Sequence, residues 1–326
     1  TVLKERDFSQ PREKAQEFIN QLRFRNFILC DLGNEYYGFV HRTFLEYFCA
    51  WEFVERFEKQ RTLTEEELIT ETFGKHWQDE AWHEVLRLIC GMVGENVAGA
   101  MIEYLMSEND QSKFKNLIFA AECLAEVRNI FTIKSTSVLL LNALKNATQQ
   151  VEEDVFKTAR EIFEAIATTW KNDPDTLPWL KSCVQSDANQ KVRSAAMDAI
   201  AKNYKEDPQT LPLLQSWVQY GNSDMRRVAV IVIAKYYKED PQTLPLLQSW
   251  VQSYWDWCVG EAAVKAIAHC YREDPQILPL LQSWVQSDAY WRVRKAAVDA
   301  IVQYYKRAPQ TLPLLQSCVQ SDADSD

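Results

Sequence analysis

The sequence predicts an all-α protein whose second half is a solenoid of stacked helical hairpins, preceded by a small element with one β-hairpin. Apolar residues make up 47% of the 326 residues and recur mostly every three or four positions, which is the period of helices. Glycine occurs only 8 times, and a proline-centred segment returns at a nearly constant spacing in the C-terminal half. The chain is therefore a helical repeat protein with enough apolar residues for a core of its own.

The composition narrows the classes of partner and cofactor. With 46 acidic and 36 basic residues the formal net charge is −10, so nucleic acid is not an expected partner unless the fold gathers a local basic patch. The 4 histidines and 8 cysteines lack the spacing of metal ligands, so no metal and no cofactor is expected in this chain. Without a signal peptide pattern or an apolar run near the ~20 residues that span a membrane, a cytoplasmic protein without membrane contact is expected.

Residues 1–60 are predicted to form a winged-helix-like element. An amphipathic run from Pro11 to about Arg25 predicts a helix, and short β-type runs follow at 27–31 and 36–40. Gly33 and Asn34 between these runs tolerate the positive φ of a tight turn. A DNA-binding winged helix is one alternative, although acidic residues interleave with the basic ones, which are Lys4, Arg6, Arg12, Lys14, Arg23 and Arg25.

Residues 61–150 are predicted to be a helical linker with degenerate repeats that begin near residue 79. Residues 151–326 are predicted to be the regular array. Asp-Pro recurs at 173, 207, 240 and 274, and the segment QTLPLLQSWVQ stands verbatim at 209 and at 242. A first helix is expected to begin at an N-cap threonine, and a second helix to close with a tyrosine. These threonines are Thr176, Thr210, Thr243 and Thr311, and the tyrosines are Tyr204, Tyr237, Tyr271 and Tyr305.

The repeats resemble HEAT-like units. The period alone also fits tetratricopeptide repeats, but Val-Arg-x-Ala-Ala at 192–196 and 293–297, each preceded by an Asp, is similar to HEAT-like sequences. Since one hairpin cannot bury its own apolar face, neighbouring units must stack. The column Trp217, Trp250 and Trp284 lies on the apolar stripe of the first helices and is predicted to be core.

Differences between the units concentrate in the turn between the two helices, where repeat proteins often carry their binding residues. Aromatic and Arg side chains bury large areas and dominate many interfaces, so these positions predict a partner-binding edge. The alternative is that some of the rings fill the space that Gly260 leaves open. The predicted partner-binding residues are Tyr254, Trp255, Trp257, Tyr290, Trp291, Arg226 and Arg292.

The segment 37–50, YGFVHRTFLEYFCA, resembles the end of the winged-helix region of NACHT-type STAND NTPases, and 82–91 is similar to the helix that follows it. The resemblance covers about residues 10–95. It implies that His41 senses the nucleotide by contacting the β-phosphate of ADP, with ADP or ATP bound by the parent protein. No phosphate-binding loop of the form Gly-x4-Gly-Lys-Ser/Thr is present, so the resemblance implies a fragment without the nucleotide-binding core.

The function that this resemblance implies is the sensor arm of an ATP-dependent signalling switch in antiviral defence, without enzymatic activity in this chain. Its expected partners are a protein ligand or its own NACHT core, with oligomerisation on activation. The first alternative is a free-standing HEAT-like scaffold for protein–protein interaction. An enzyme is another, since some HEAT-like proteins such as bilin lyases hold a cofactor in their groove. His269 and Cys270 are adjacent in sequence, so they point about 100° apart on a helix and do not form a base and nucleophile pair.

Overall fold

The computed structural model describes residues 10–34, 36–108, 114–150, 156–186, 189–252, 257–287 and 290–308, together with 311 and 313. Within these ranges the chain forms 16 α-helices and one two-stranded sheet. The predicted class, an all-α solenoid with a small β-hairpin, is confirmed. Contacts divide the chain into two compact units, Thr1–Leu144 and Lys145–Asp326.

The first unit opens with the predicted order of helix, hairpin and helix. The two strands are antiparallel and pair from Leu29 with Phe39 to Gly33 with Tyr36, with a bulge after Asp31. Gly33 has φ 86° and Asn34 has φ 54°, the left-handed conformations that the turn requires. The elements are α1 (Pro11–Phe24), β1 (Leu29–Gly33), β2 (Tyr36–Phe39) and α2 (Arg42–Glu58).

The rest of the first unit is helical. Thr64 caps the short helix α3 through a capping box with Glu67, and the chain then passes into one π-helical segment, Leu68–Gly74. Leu86, Met101 and Leu124 from three successive helices are fully buried and hold this unit together. The helices are α3 (Glu65–Glu67), α4 (His83–Met92), α5 (Glu95–Ser107), α6 (Lys115–Glu126) and α7 (Lys134–Gln150), with a 3-10 turn at Ile130–Ile133.

The second unit is the repeat array, in which short first helices alternate with second helices of 14 residues. Consecutive second helices pack against one another, and from the second of them onwards each also packs against the first helix that precedes it. The first helices are α9 (Thr176–Ser186), α11 (Thr210–Tyr220), α13 (Thr243–Gln252) and α15 (Ile277–Gln286). The second helices are α8 (Phe156–Thr169), α10 (Gln190–Asn203), α12 (Ser223–Tyr236), α14 (Trp257–Cys270) and α16 (Trp291–Tyr304).

The turns between units are organised by aspartate. The carboxylate of Asp207 accepts a hydrogen bond of 2.9 Å from the backbone N–H of Gln209, and Asp173, Asp240 and Asp274 repeat this contact. The prediction of a threonine N-cap is wrong, because Thr210 is the first residue of α11 and its side chain is buried. The Asp side chain accepts a hydrogen bond from the backbone N–H two residues later, so the aspartate and not the threonine stabilises the turn.

The core of the array consists of small residues on the second helices and larger ones on the first. Ala196, Ala229 and Ala263 are fully buried and permit close approach of the second helices. Trp217 and Trp284 are each 5% exposed and Trp250 packs partly buried against the core, so the predicted core column is confirmed. Among the described residues, no helix combines the length and the apolar character that crossing a membrane demands.

Candidate nucleic-acid interface

Each second helix of the array has one stripe of side chains that no other helix covers. In α14 the exposed residues Trp257, Lys265 and His269 and the partly exposed Glu261 follow one another every four positions. Residues four apart lie on one side of a helix, so they form a single solvent-facing row. Because α12, α14 and α16 pack side by side, their rows form one surface, here called the free face. It consists of Ser223, Arg227, Ile231 and Lys235, of Trp257, Glu261, Lys265 and His269, and of Trp291, Lys295, Asp299 and Gln303.

An open cavity of about 730 Å³ lies on the free face. Four cationic side chains line it, against the two carboxylates of Glu273 and Asp299. The cations come from consecutive units, so they are distant in sequence and adjacent in space. They are Lys235, Lys238, Lys265 and Arg272. The fold thus gathers a local basic patch on a chain whose net charge is −10, and each of its four cations is also ion-paired with a carboxylate of the protein.

A second basic row runs along the ends of the second helices. A Lys or Arg directly follows the closing aromatic residue of every unit and is exposed in each case; these are Lys171, Lys205, Lys238, Arg272 and Lys306. The backbone of this row is held by the next unit, since Tyr204 donates 3.2 Å to the carbonyl of Lys171 and Tyr305 donates 3.0 Å to that of Arg272. The charged heads extend into solvent from fixed backbone positions.

The ion pairs of the second helices divide this surface into two parts. Towards the N-terminal end, Asp198 accepts from Arg160 at 2.9 Å and from Lys235 at 3.0 Å, so charge there is largely neutralised within the protein. Towards the C-terminal end, each cavity cation has one carboxylate partner among the described residues. Lys238 pairs with Glu239 and Lys265 with Glu261, while Arg272 pairs with Glu273, which is 89% exposed. Exposed pairs contribute about 0–1 kcal/mol and are screened by salt, so a phosphate can compete for such cations. Asp299 makes no hydrogen bond or ion pair with any described residue.

The cavity wall also holds His269, Cys270 and Tyr304. His269 Nδ1 lies 3.1 Å from the hydroxyl of Tyr304, in the neighbouring unit. Burial raises the pKa of the Cys270 thiol, and the nearby Lys238 and Lys235 act in the opposite direction. A thiol with a raised pKa is a poor nucleophile, so the burial of Cys270 does not favour a His269–Cys270 pair for catalysis.

Three aromatic residues of the predicted partner-binding edge are exposed to solvent. Trp257 is 36% exposed, Trp291 is 52% exposed, and Tyr290 before α16 is 49% exposed. The guanidinium carbon of Arg292 lies 3.6 Å from the ring centroid of Trp257 and 5.0 Å from that of Trp291. Tyr254 and Trp255 lie outside the described residues. Arg226 has another role, since its Nε donates 2.7 Å to the carbonyl of Gly221 at the end of α11.

His41 stands at the N-cap of α2, exposed and without a capping hydrogen bond, with its ring 6.2 Å from that of Phe44. Other residues of segment 37–50 have structural contacts. Arg42 pairs with the buried Glu46 at 2.6 Å and also donates 3.1 Å to the carbonyl of Ala81. These contacts give Arg42 and Glu46 structural roles that require no nucleotide.

Residues 188–326 match a family model described as DNA alkylation repair enzyme. This segment is less than half of the chain, and it contains the free face, the cavity and the predicted partner-binding edge. No curated protein and no solved structure matches the chain.

The match to DNA alkylation repair enzymes contradicts the NACHT-type resemblance, which is therefore wrong, as are the signalling arm and the setting in antiviral defence. The prediction that the chain is not an enzyme is wrong for the same reason. The alternative prediction, a HEAT-like scaffold for protein–protein interaction, agrees with the matched family only in its helical-repeat fold. The nucleotide-sensing role of His41 was implied by this resemblance and loses that support with it.

Sequence reasoning missed the basic patch. Lys238 and Arg272 directly follow the closing tyrosines of consecutive repeats, and Lys235 stands two residues before one of those tyrosines. Comparing the repeats at those positions would have found these three cations. Lys265 lies six residues before its closing tyrosine, Tyr271, and carries no such signal.

Proposed function

We propose that the C-terminal unit binds DNA across the free face and acts in the repair of alkylated DNA. The observation that carries this proposal is the cavity lined by Lys235, Lys238, Lys265 and Arg272. These residues lie inside the segment that matches DNA alkylation repair enzymes. A cluster of cations in an acidic chain needs a reason, and binding a phosphate backbone is one that fits both observations.

Electrostatics define the expected binding behaviour. Each phosphate that a Lys or Arg neutralises releases counterions, which makes affinity fall steeply as salt rises. The net charge of −10 opposes DNA at long range, so binding is expected to depend on short-range contacts at the patch. The fixed backbone of the row after the closing tyrosines limits the entropy that these cations lose on binding.

The chemistry expected is hydrolysis of the bond between the alkylated base and the sugar. Alkylation of a purine ring nitrogen makes the base cationic, so it departs readily with the electron pair of the broken C1′–N bond. Water adds to C1′ and gives up a proton. A carboxylate beside the sugar stabilises the developing positive charge and accepts that proton. Asp299 on the cavity wall is the candidate, because it has no described ionic partner.

The first experiment measures binding of duplex DNA by fluorescence anisotropy over a range of salt concentrations. The triple variant Lys238→Ala, Lys265→Ala, Arg272→Ala should bind more weakly and lower the salt slope by about 0.9 for each phosphate that is no longer neutralised. The charge-matched control replaces Lys59, Arg61 and Lys75, which are exposed in the first unit. Equally weakened binding in both variants would mean that net charge alone is responsible, and the patch would not be the DNA site.

The second experiment measures release of alkylated bases from methylated duplex DNA. Asp299→Asn should lower the rate about 10²-fold or more, while anisotropy with the same duplex stays unchanged. Full activity in this variant would assign the chemistry to another carboxylate, with Glu273, which also lines the cavity, as the next to replace. An absence of release by the unaltered protein would refute the repair activity and leave DNA binding as a separate question.

A further inference from the structure

We infer that Trp291 and Arg292, backed by Trp257, form a stacking site for an unpaired nucleobase of single-stranded DNA. The site lies at the N-terminal ends of α14 and α16. The choice of DNA as ligand rests on the proposed function, but the observations for the site itself are separate from those for the cavity.

Arg292 makes cation–π contacts with two indoles that come from two units. The guanidinium carbon of Arg292 lies 3.6 Å from the Trp257 centroid and 5.0 Å from the Trp291 centroid. Such cation–π contacts hold the rings in a defined orientation. With 52% of Trp291 exposed, this cluster presents an indole that is open to solvent. A further planar group could extend it by stacking on that indole.

Arg292 has hydrogen-bonding capacity that no described residue uses. Its guanidinium contacts the two indole rings, and no described residue forms an ion pair or hydrogen bond with it. A guanidinium carries five N–H donors in its plane, and stacking leaves their edges accessible. The site thus offers a face for a ring and edge donors for an anionic or carbonyl oxygen, which is the combination a nucleotide presents.

The surrounding charge favours a polyanion. Lys295 is exposed one turn after Trp291 on the same row. Glu261, on the row of Trp257, is held by Lys265 at 2.6 Å. A basic peptide would be repelled, and an acidic peptide would gain from the charge but would bring no base to stack. Among polyanions, single-stranded DNA supplies both parts.

The stacking site and the cavity lie on the same rows. Trp257 and Lys265 are eight residues apart on α14, which is about 12 Å along the helix axis. A strand whose phosphates contact the cavity cations therefore has the aromatic stack within reach along the free face. The stack suits bases that have left a duplex, because a paired base has no free face to offer.

The test compares three probes on the full chain by anisotropy: an oligothymidine, a strand of equal length with abasic spacers in place of every base, and a duplex. The unaltered protein should bind the oligothymidine about tenfold more tightly than the abasic strand. Trp291→Ala should remove that difference and leave the affinity for the abasic strand within about twofold. Trp291→Phe should restore most of the difference, since a phenyl ring still stacks.

Trp51→Ala is the matched control, because Trp51 is 43% exposed in the first unit and should have no effect. Equal affinity of the unaltered protein for the oligothymidine and the abasic strand would overturn the stacking site, while duplex binding through the cavity would still stand. An absence of duplex binding with stacking intact would overturn only the proposed function. A poly-glutamate peptide that binds in a Trp291-dependent manner, as tightly as the oligothymidine, would make the occupant an acidic peptide and would overturn the inference.

Discussion

The hydroxyl of Tyr271 donates a hydrogen bond of 3.3 Å to the backbone carbonyl of Lys238, which stands 33 residues earlier in the neighbouring unit. Tyr204 and Tyr305 make the same contact with the units before them. The closing tyrosine of one unit thus satisfies a carbonyl just after the closing aromatic residue of the previous unit. These bonds tie successive units together directly beneath the basic row.

Removing one of these hydroxyls should weaken the array. Tyr271→Phe is expected to lower the free energy of unfolding by about 1 kcal/mol, the usual net value of one hydrogen bond. Tyr237→Phe is the matched control, since the hydroxyl of Tyr237 is buried and no described group bonds to it. That variant should be neutral or slightly stabilising. Urea titrations followed by circular dichroism measure both, and a larger loss for Tyr237→Phe would contradict the role given to the contact.

The raised pKa values of Tyr237 and Tyr271 predict that the protein loses stability in alkaline solution. Burial, reinforced by Glu206 and Asp207, raises the pKa of Tyr237 to about 12, and burial is also the main cause that raises the pKa of Tyr271 to about 12. Both values exceed the ordinary 10.0, so the folded state holds the proton more tightly than the unfolded state. Their contribution to stability is fully present below pH 10 and is lost as the pH rises through 12.

Thermal melts at increasing pH check this prediction, together with the ultraviolet absorbance of the phenolate. The double variant Tyr237→Phe, Tyr271→Phe lacks both ionisations and should show a shallower loss of stability above pH 10. Identical pH profiles for this variant and the unaltered protein would assign the alkaline loss to other groups.

Arg42 should be important for the stability of the first unit. Its Nε holds the carboxylate of Glu46, which is only 9% exposed, and its Nη2 donates to the carbonyl of Ala81. Arg42→Ala leaves that carboxylate without its cation and should cost about 1–3 kcal/mol. Replacing Glu46 by Leu in the same chain should recover part of the loss. Chemical unfolding detects both changes, and no recovery would mean that the hydrogen bond to Ala81 dominates.

The exposed pair Lys75–Glu71 provides the control for this comparison. Both partners are more than half exposed, so Lys75→Ala should change the free energy of unfolding by less than about 0.5 kcal/mol. A loss as large as that for Arg42→Ala would show that burial of Glu46 is not the deciding factor.

Gly221 should not tolerate a side chain. A Cβ built there would stand 2.5 Å from the backbone carbonyl oxygen of Trp217 and 2.9 Å from the Cβ of Met225. Backbone atoms cannot move aside cheaply, so Gly221→Ala should cost about 1–3 kcal/mol. Gly94→Ala meets nothing within 4 Å and should cost less. Unfolding midpoints compare the two, and equal effects would show that the junction of α11 and α12 can shift.

Sequence reasoning succeeded where the cause is local. The periods of apolar residues predicted the helices, Gly33 and Asn34 predicted the turn, and the apolar stripe predicted the burial of Trp217. It failed at the threonine N-cap, where two local candidates compete for one turn and the aspartate takes it. It also failed on family and function. The resemblance depended on the residue pattern of segment 37–50, but the contacts that Arg42 of this segment makes with Glu46 and Ala81 are structural.

The sequence by itself determined the repeat, its period, the helical class and the identity of the residues on each helix, because these follow from spacing along one chain. Only the tertiary structure decided that Lys235, Lys265 and Arg272 line one cavity and that Arg292 contacts two indoles. Those groups come from different units, and their approach depends on how closely the second helices pack. That packing is set by the buried alanines between the helices, since small side chains let neighbouring rows stand near enough to act together.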